Sequence, residues 1–303
     1  MWHRLTRVLV TLAILATAAQ GQESERVLSV LRMPSWPRAA ALANIGASTS
    51  LPEGLLYNPA LAGTVSGLAG SAHFFGSDSA LSTVVAGLST GLVSIGVGVQ
   101  MLRADLGFDP LVDPIPGSSL TRNHSLTGVT TLGGSMRWKG MRWGASAKYI
   151  TLVERGVDAD AFAFDVGAQR QVGPFSVGLA VQNLGEGMNL GSSDEMEMPT
   201  RVTLAAEGQG LPKGAFLDFG ALAALSVDQD GEVLPAAGGQ VLYSPLDGWT
   251  FSLRAGVRRP APSTNERPVT GGFAVALDRL TIDYAIESVK TGDAVHRIGV
   301  RLR

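Results

Sequence analysis

The sequence predicts an all-β protein, a transmembrane outer-membrane β-barrel of about fourteen antiparallel strands preceded by a short plug-like segment. The chain of 303 residues has a mean hydropathy of +0.20 and only 17% charged residues, so it is apolar. Its longest apolar run, near residues 8–19, is nevertheless shorter than the roughly 18 to 20 residues of a membrane-spanning helix. Apolar and polar residues instead alternate along short segments of the chain. The connections between these segments are in turn short and long.

Composition excludes several classes of function. A formal net charge of −2 gives no electrostatic footprint for nucleic acid. The chain has no cysteine, which removes disulfide scaffolds, thiolate metal sites and cysteine nucleophiles. The four histidines are scattered and show no zinc-binding spacing. We therefore expect neither a cofactor nor a nucleic-acid partner.

The N-terminus predicts a secretory signal peptide. It begins with basic residues, continues through an apolar stretch at Val8–Ala16, and ends in small residues that fit cleavage after Ala18 or Gly21. A membrane anchor is the alternative, but the apolar stretch is short and polar residues follow at once. The predicted division of the chain is a signal peptide over 1–21, a plug-like segment over 22–66 and a barrel over 67–303.

Period-two alternation marks the strands, and it is clearest in Met141–Val153, Trp249–Arg258 and Arg279–Glu287. The predicted strands are at about 68–75, 80–89, 91–102, 125–138, 141–153, 161–171, 174–183, 201–209, 215–227, 233–244, 249–258, 269–277, 279–288 and 295–303. The short connections all follow even-numbered strands and are Thr90, Lys139–Gly140, Val172–Gly173, Gly210–Gly214, Pro245–Gly248 and Asp278. Tight turns at one end of a sheet are typical of outer-membrane barrels, whose periplasmic turns are short.

The two faces of the alternating strands predict a lipid-facing surface and a polar lumen, because a closed barrel is the only sheet that pairs all its backbone groups in lipid. The polar residues predicted to face the lumen are Arg142, Lys148, Asp165, Gln169, Gln182, Arg201, Glu207, Arg254, Asp283, Arg297 and Arg301. Both charge signs occur, which favours structural cross-strand pairs, with a transport pathway as the alternative. Trp138 and Trp249 lie beside short turns, where an aromatic girdle would meet the periplasmic headgroups. Core tryptophans near hairpins are the alternative.

The segment before the barrel contains Tyr57-Asn58-Pro59-Ala60, where Asn58 suits a helix N-cap and Pro59 the first helical position. This motif ahead of fourteen strands resembles the FadL superfamily, in which an asparagine-proline-alanine motif closes an N-terminal plug. The chain resembles the PorV/PorQ group of that superfamily more closely. The stretches that carry this resemblance, in the family's order, are Arg38–Ala43, Asn58–Ala60, Ala147–Tyr149, Phe164–Gly167, Val181–Gly185, Met198–Arg201, Leu253–Gly256, Asp283–Ala285 and His296–Ile298.

The resemblance implies a non-enzymatic barrel in the outer membrane of a Gram-negative-type bacterium, in contact with outer-membrane lipid. A PorV/PorQ-like barrel would be a component of type IX-like protein export that binds exported cargo or partner proteins. The connections Arg103–His124 and Leu184–Thr200 are the first candidates for such contacts. The alternative is a FadL-like transporter of hydrophobic small molecules, which pass through the barrel and its wall. A purely structural envelope barrel and a secreted soluble β protein are further alternatives.

Two short motifs resemble an enzyme site and a metal site by their letters alone. Gly87–Gly91 matches a serine nucleophile elbow, but that chemistry needs a helix after the serine, and an alternating strand follows here. Asp228–Glu232 lacks the spaced ligands of a calcium loop. We therefore predict a hairpin turn at each motif and no enzymatic activity.

Overall fold

A computed structural model describes residues 28–75, 79–105, 124–154, 157–190, 195–212, 216–261, 266–289 and 294–302. The predicted signal peptide and most of the predicted contact segment Arg103–His124 lie outside the described residues. Within these residues, no helix has the length and apolar character needed to cross a membrane.

Fourteen antiparallel strands form a closed barrel, in which β16 pairs with β1, and β7 pairs with β10. A two-stranded hairpin, β8–β9, lies in the connection between β7 and β10. The strands are β1 (Gly67–Phe75), β2 (Ser79–Ser89), β3 (Val93–Asp105), β4 (His124–Trp138), β5 (Met141–Glu154), β6 (Val157–Val172), β7 (Phe175–Leu184), β8 (Met188–Asn189), β9 (Glu195–Met196), β10 (Arg201–Pro212), β11 (Leu217–Asp228), β12 (Val233–Leu246), β13 (Trp249–Arg258), β14 (Glu266–Leu277), β15 (Leu280–Val289) and β16 (Ala294–Leu302).

The predicted barrel strands are all present, and the barrel prediction is confirmed. The largest differences are at the starts of β6 and β14 and at the ends of β3 and β10, which extend further than predicted. In β6 the extension contains Asp158 and Asp160, which interrupt the apolar alternation but still pair with Val153 and Thr151 of β5. Backbone pairing continues there because ladder hydrogen bonds do not require apolar side chains.

Tight turns join the strands at one end of the barrel, as predicted. Lys139 and Gly140 both have positive φ, at 49° and 73°, which is the conformation of a type I′ hairpin turn. We call this end the turn end, and the opposite end, where β7 leads into the β8–β9 hairpin, the loop end. The serine of the elbow-like motif, Ser89, ends β2, and β3 begins at Val93, so this motif is a hairpin turn as predicted.

Side chains alternate between the lumen and the outer surface along β5, β13 and β15, as predicted. In β13, for example, Leu253 is 68% exposed, whereas the neighbouring Arg254 is 6% exposed. Trp138 and Trp249 both lie on the exposed outer surface beside turns. The outer surface is therefore the apolar one, and the inward face carries the charges.

Residues 28–66, which we call the plug segment, fill part of the lumen. The segment contains one short α-helix, α1 (Pro37–Ala41), and 3-10 turns at Ser29–Leu31, Pro52–Leu56 and Pro59–Leu61. Helix α1 packs against β13–β16, whereas the later turns pack against β1–β6. Trp36, Leu42 and Leu61 are fully buried. The plug segment thus supplies much of the core of the molecule.

Glycines on the inward face of the barrel make room for the plug segment. A Cβ atom at Gly178 would lie 1.9 Å from the Ala47 carbonyl oxygen, and one at Gly144 would lie 2.2 Å from the Pro59 carbonyl. The other glycines that would collide with or press on the plug segment are Gly87, Gly96, Gly98, Gly133, Gly167, Gly238, Gly256, Gly272 and Gly299. Much of the glycine content therefore forms a belt that lets the plug segment approach the barrel backbone.

Candidate functional site

The asparagine of the predicted plug motif joins three parts of the molecule. Asn58 is fully buried, and its Oδ1 accepts a hydrogen bond from the Ala60 N–H at 2.9 Å, so it caps the short turn that begins at Pro59. Its Nδ2 donates to the carbonyl oxygens of Ala47 at 2.8 Å and Ala168 at 3.2 Å. Asn58 therefore fixes two stretches of the plug segment to strand β6.

A layer of ion pairs that includes Arg38 of helix α1 crosses the lumen, and we call it the charged layer. Asp283 accepts hydrogen bonds from Arg254 at 2.6 Å and from Arg301 at 2.7 Å, and Arg301 also contacts Glu53 at 3.1 Å. Arg38 of helix α1 pairs with Glu207 of β10 at 2.7 Å. All of these side chains are at least nine-tenths buried. The charged layer ties the plug segment to β10, β13, β15 and β16.

Glu53 has a raised pKa in this layer. Burial is the largest cause, because it removes the carboxylate from water, and the nearby Asp283 raises the pKa further. Arg301 acts in the opposite direction, but it also binds Asp283 and therefore stabilises the Glu53 carboxylate only in part. Burial also raises the pKa of Tyr57, whose hydroxyl oxygen accepts hydrogen bonds from the N–H groups of Ser35 and Trp36.

A second charged group lies nearer the loop end. Glu287 contacts Arg258 at 2.9 Å through one carboxylate oxygen and Arg297 through the other. Arg297 also donates to His73 Nδ1 at 3.2 Å, and its guanidinium lies 5.8 Å from the centre of the Phe75 ring. Two guanidinium groups thus share one buried carboxylate.

Two cavities lie on opposite sides of the charged layer, and their linings share no described residue. The loop-end cavity has a volume of about 460 Å³, and its apolar wall includes Met33, Phe75, Ala224, Pro235, Ala236 and Val295. The turn-end cavity has a volume of about 560 Å³ and is mainly polar, with Gln169, Gln171, Ser176, Gln240, Ser252 and Thr281 among its lining residues. The lumen therefore holds one cavity with a largely apolar wall that also carries arginines, and one mainly polar cavity.

The β8–β9 hairpin covers another part of the loop end. Met188 and Met196 are cross-strand partners, and together with Met198 they are buried against the inward face of the barrel. The apolar residues of β2–β6 in this cluster are Leu81, Leu102, Val129, Ile150, Leu152, Ala161 and Ala163. The described part of the predicted contact segment Leu184–Thr200 therefore packs into the mouth of the barrel.

A β-bulge at the end of β7 directs the chain into this hairpin. Phe164 pairs with Leu184 and Val166 with Val181, so two residues of β7 lie opposite Asp165. One of them, Asn183, has a φ of 59°. The bonds that hold the bulge are Lys148 Nζ to Asn183 Oδ1 at 2.6 Å, Lys148 Nζ to Asp165 Oδ2 at 3.0 Å, the Asn183 N–H to Asp165 Oδ1 at 2.8 Å, and Asn183 Nδ2 to the Pro199 carbonyl at 2.9 Å.

The predicted lumen residues thus fall into several groups. Lys148 and Asp165 hold the bulge, and Glu207, Arg254, Asp283 and Arg301 belong to the charged layer. Arg201 and Arg297 line the loop-end cavity, and Gln169 lines the turn-end cavity. The remaining two lie apart from these groups: Gln182 Nε2 donates to the Leu56 carbonyl at 3.0 Å, and Arg142 is part-buried beside the turn that follows Trp138.

Sequence reasoning missed the partners that the plug segment contributes. Arg38 and Glu53 are buried charges outside any alternating strand, so no periodic pattern marked them as inward-facing. It also missed the β8–β9 hairpin, whose strands have two residues each. The one signal that could have identified Arg38 and Glu53 is a charged residue inside an otherwise apolar, small-residue stretch. Such charges are rarely buried without a partner.

The acidic motif Asp228–Glu232 forms the turn between β11 and β12. Asp228 accepts hydrogen bonds from Arg201 at 2.6 and 3.2 Å, and Asp230 lies 3.5 Å from Arg32 of the plug segment. In the described part of the chain, no group of three or more His, Cys, Asp or Glu side chains is arranged to hold a metal ion. The motif therefore serves as an acidic hairpin tip that contacts two arginines.

Comparison with known proteins gives no match to a family model and none to a curated protein. Solved structures do match. The toluene transporter TodX of Pseudomonas putida matches with a TM-score of 0.56 and 11% identity, over 93% of this chain and 98% of that chain. The monoaromatic hydrocarbon channel CymD matches with a TM-score of 0.55 and 12% identity, over 88% of this chain and 96% of that chain. A FadL homologue of Pseudomonas aeruginosa matches with a TM-score of 0.55 and 11% identity, over 88% and 98% of the two chains. This chain therefore has the fold of the FadL-type outer-membrane barrels.

Proposed function

We propose that this protein is an outer-membrane channel for small apolar molecules. The observation that carries the proposal is the apolar-walled cavity of about 460 Å³ at the loop end of a plugged barrel. Two of the proteins with the same fold are described as a toluene transporter and a monoaromatic hydrocarbon channel. In this proposal the loop end faces the cell exterior and the turn end faces the periplasm.

The charged layer argues against a straight path through the lumen. An apolar molecule that moved from the loop-end cavity toward the turn end would have to pass Arg254, Asp283 and Arg301, whose ion pairs are buried. Opening such pairs leaves charges without partners in a low-dielectric site. The cost in free energy is roughly several kcal/mol, as for breaking a buried ion pair in general. A route through the wall into the membrane avoids this cost.

The wall beside the loop-end cavity is irregular along the first residues of β14. Among the described residues, the ladder between these strands ends at Val257 and Val269, and Pro268 has no N–H to donate. On the other edge of β14, the pairing passes from Thr270 with Glu287 directly to Glu266 with Val289. We place the exit for apolar molecules at this irregular part of the wall.

An uptake experiment with matched variants tests the function. The full chain is expressed in a Gram-negative host that has no channel of its own for aromatic hydrocarbons, and entry of radiolabelled toluene into intact cells is measured. Ala236 lines the loop-end cavity, whereas the next residue, Ala237, faces outward. We expect Ala236→Phe to fill the cavity and reduce uptake several-fold, and Ala237→Phe to leave uptake unchanged. Equal uptake with and without the protein would refute the proposal.

The protein-export role stays a prediction from sequence resemblance. In the described part of one of its two candidate contact segments, the apolar side chains of Met188, Met196 and Met198 are buried in the mouth of the barrel and are not presented to cargo. This observation supports the small-molecule alternative. Affinity purification from native membranes tests the export role, since a cargo-binding barrel would retain a protein partner.

A further inference from the structure

We propose that two neighbouring hairpins at the turn end, β4–β5 and β6–β7, bind an anionic phospholipid, and that Lys139 and Arg170 contact the phosphate of its headgroup. The inference goes beyond the proposed function, because it concerns a partner of the outer surface and not the molecule that passes through the barrel. With the turn end in the periplasm, this lipid belongs to the periplasmic leaflet of the outer membrane.

Charge around these two hairpins is the first argument. Residues 137–143 and 168–176 contain no Asp or Glu, and their cations are Arg137, Lys139, Arg142 and Arg170. In the described part of the chain, no carboxylate forms an ion pair with any of these four side chains. The turn between β14 and β15 at the same end differs, because it carries Asp278 beside Arg279. The positive charge is therefore concentrated on one side of the turn end.

Two of the cations directly oppose each other. Arg137 and Arg142 are cross-strand partners, and like charges in this position destabilise a strand pair. Arg142 Nη1 is buried and has no hydrogen-bond partner among the described residues. The adjacent partners, Met136 and Trp143, lie on the outer surface, so alternation turns the two arginines toward the inward side of the rim. An anion beside this hairpin would lower the energy of the arginine pair.

The other two cations are on the outer side, where lipid lies. Lys139 Nζ is 4.5 Å from the centre of the Trp138 ring, which is on the outer surface. Arg170 is exposed and lies between Gln169 and Gln171, which line the turn-end cavity, so alternation turns Arg170 outward. Strands β4 and β6 are two strand spacings apart, about 9.6 Å, because only β5 lies between them. A phosphate between these strands is within reach of both long side chains.

The surroundings favour a lipid over a soluble anion. Trp138 and Trp143 are exposed on the outer surface of the β4–β5 hairpin, and tryptophans in this position lie at the level of the lipid headgroups. Cations at that level attract anionic lipids. Further along the same strands, Gly134 and Ala145 are cross-strand partners on the outer surface, which leaves room for an acyl chain close to the sheet. A soluble anion would gain nothing from this apolar surface.

The test compares two lipids that differ in net charge. Full-length protein in detergent micelles is titrated with dioleoyl phosphatidylglycerol or dioleoyl phosphatidylcholine, which have the same acyl chains and the same phosphodiester group, and bound lipid is counted by native mass spectrometry. We expect phosphatidylglycerol to bind about 25-fold more tightly, since each of two cations contributes about fivefold. Equal affinity would overturn the inference. Displacement of phosphatidylglycerol by an equal concentration of glycerol 1-phosphate would overturn the assignment of a lipid.

Variants locate the site. Arg170→Gln should reduce the preference for phosphatidylglycerol to about fivefold, and Lys139→Gln combined with Arg170→Gln should reduce it to near onefold. Arg279→Gln is the matched control, because Arg279 is an exposed cation at the same end of the barrel but lies beside Asp278. It should leave the preference unchanged. An equal loss from Arg170→Gln and Arg279→Gln would overturn the inference, because the lipid would then respond to the charge of the whole turn end. Heat-modifiable gel mobility confirms that each variant is folded.

Discussion

Gly167 of β6 lies so close to Asn58 of the plug segment that a Cβ atom at position 167 would be 2.0 Å from Asn58 Oδ1. Gly167→Ala should therefore displace Asn58 or the strand and destabilise the folded barrel by about 2 kcal/mol, the usual cost of overpacking. The midpoint of thermal unfolding, followed by heat-modifiable gel mobility, measures the effect. Gly134→Ala is the control, since the nearest atom to its added Cβ is 3.7 Å away. Equal midpoints for the two variants would contradict the close approach.

Asn58→Asp separates the capping role of Asn58 from its role as a donor. Aspartate is as good an N-cap as asparagine and could still accept from the Ala60 N–H. It cannot donate to the carbonyl oxygens of Ala47 and Ala168, which would instead repel its negative charge. We expect a loss of roughly 2 to 3 kcal/mol in unfolding free energy. A variant as stable as the parent would show that capping is the only role of Asn58.

Glu53 makes the stability of the plug segment depend on pH. In the unfolded chain it ionises near its usual pKa of 4.5, and burial raises that pKa in the folded state. The folded state therefore binds more protons between the two pKa values, so the contribution of Glu53 to stability is full below about pH 4.5 and is lost as the pH rises through the folded-state pKa.

Glu53→Gln removes this titration. Relative to the parent, the variant should lose less stability as the pH is raised from 4.5 toward 8, and at pH 8 it should be at least as stable. Thermal unfolding midpoints over this pH range measure the difference. Glu186→Gln, at an exposed position, is the control. If Glu53→Gln lost more stability than the parent with rising pH, the ion pair with Arg301 would outweigh the burial of Glu53.

The barrel was predictable from the sequence because alternation is a local signal. Trp143, Tyr149 and Leu253 fall on the apolar face by residue order alone, and the structure places them on the outer surface. The tight turns were predictable for the same reason, since Lys139–Gly140 joins two alternating stretches directly. Lipid requires every strand to pair its backbone groups and to present an apolar outer face. Fourteen individually weak alternation patterns therefore predicted the same fold.

The lumen could not be predicted in the same way, because its contacts join distant parts of the chain. Arg38 and Glu207 are 169 residues apart, and Arg301 and Glu53 are 248 apart. Such pairs depend on barrel closure and on the depth at which the plug segment lies in the lumen. No local sequence pattern predicts either of these. The role of the glycines on the inward face could not be predicted for the same reason. By sequence alone Gly256 and Gly272 are ordinary strand glycines, but in the fold the backbone of Leu42 and Ala43 lies against Gly256 and the Ala41 side chain lies against Gly272.

A disulfide across β13 and β14 tests the proposed exit in the wall. Val257 and Val269 are the last paired residues of this ladder before the irregular part of β14, and both side chains face outward. The chain has no cysteine, so Val257→Cys with Val269→Cys would introduce a single thiol pair at a cross-strand spacing that suits a disulfide. If apolar molecules leave through the wall here, the oxidised pair should reduce toluene uptake several-fold, because widening the exit requires the ladder below it to open. Reduction of the disulfide should restore uptake.

Leu253→Cys with Phe273→Cys is the matched control, since this pair has the same register four residues nearer the turn end. Its oxidation should leave uptake unchanged, and an equal loss from both pairs would show that rigidity of the whole sheet, not an exit beside Pro268, limits transport.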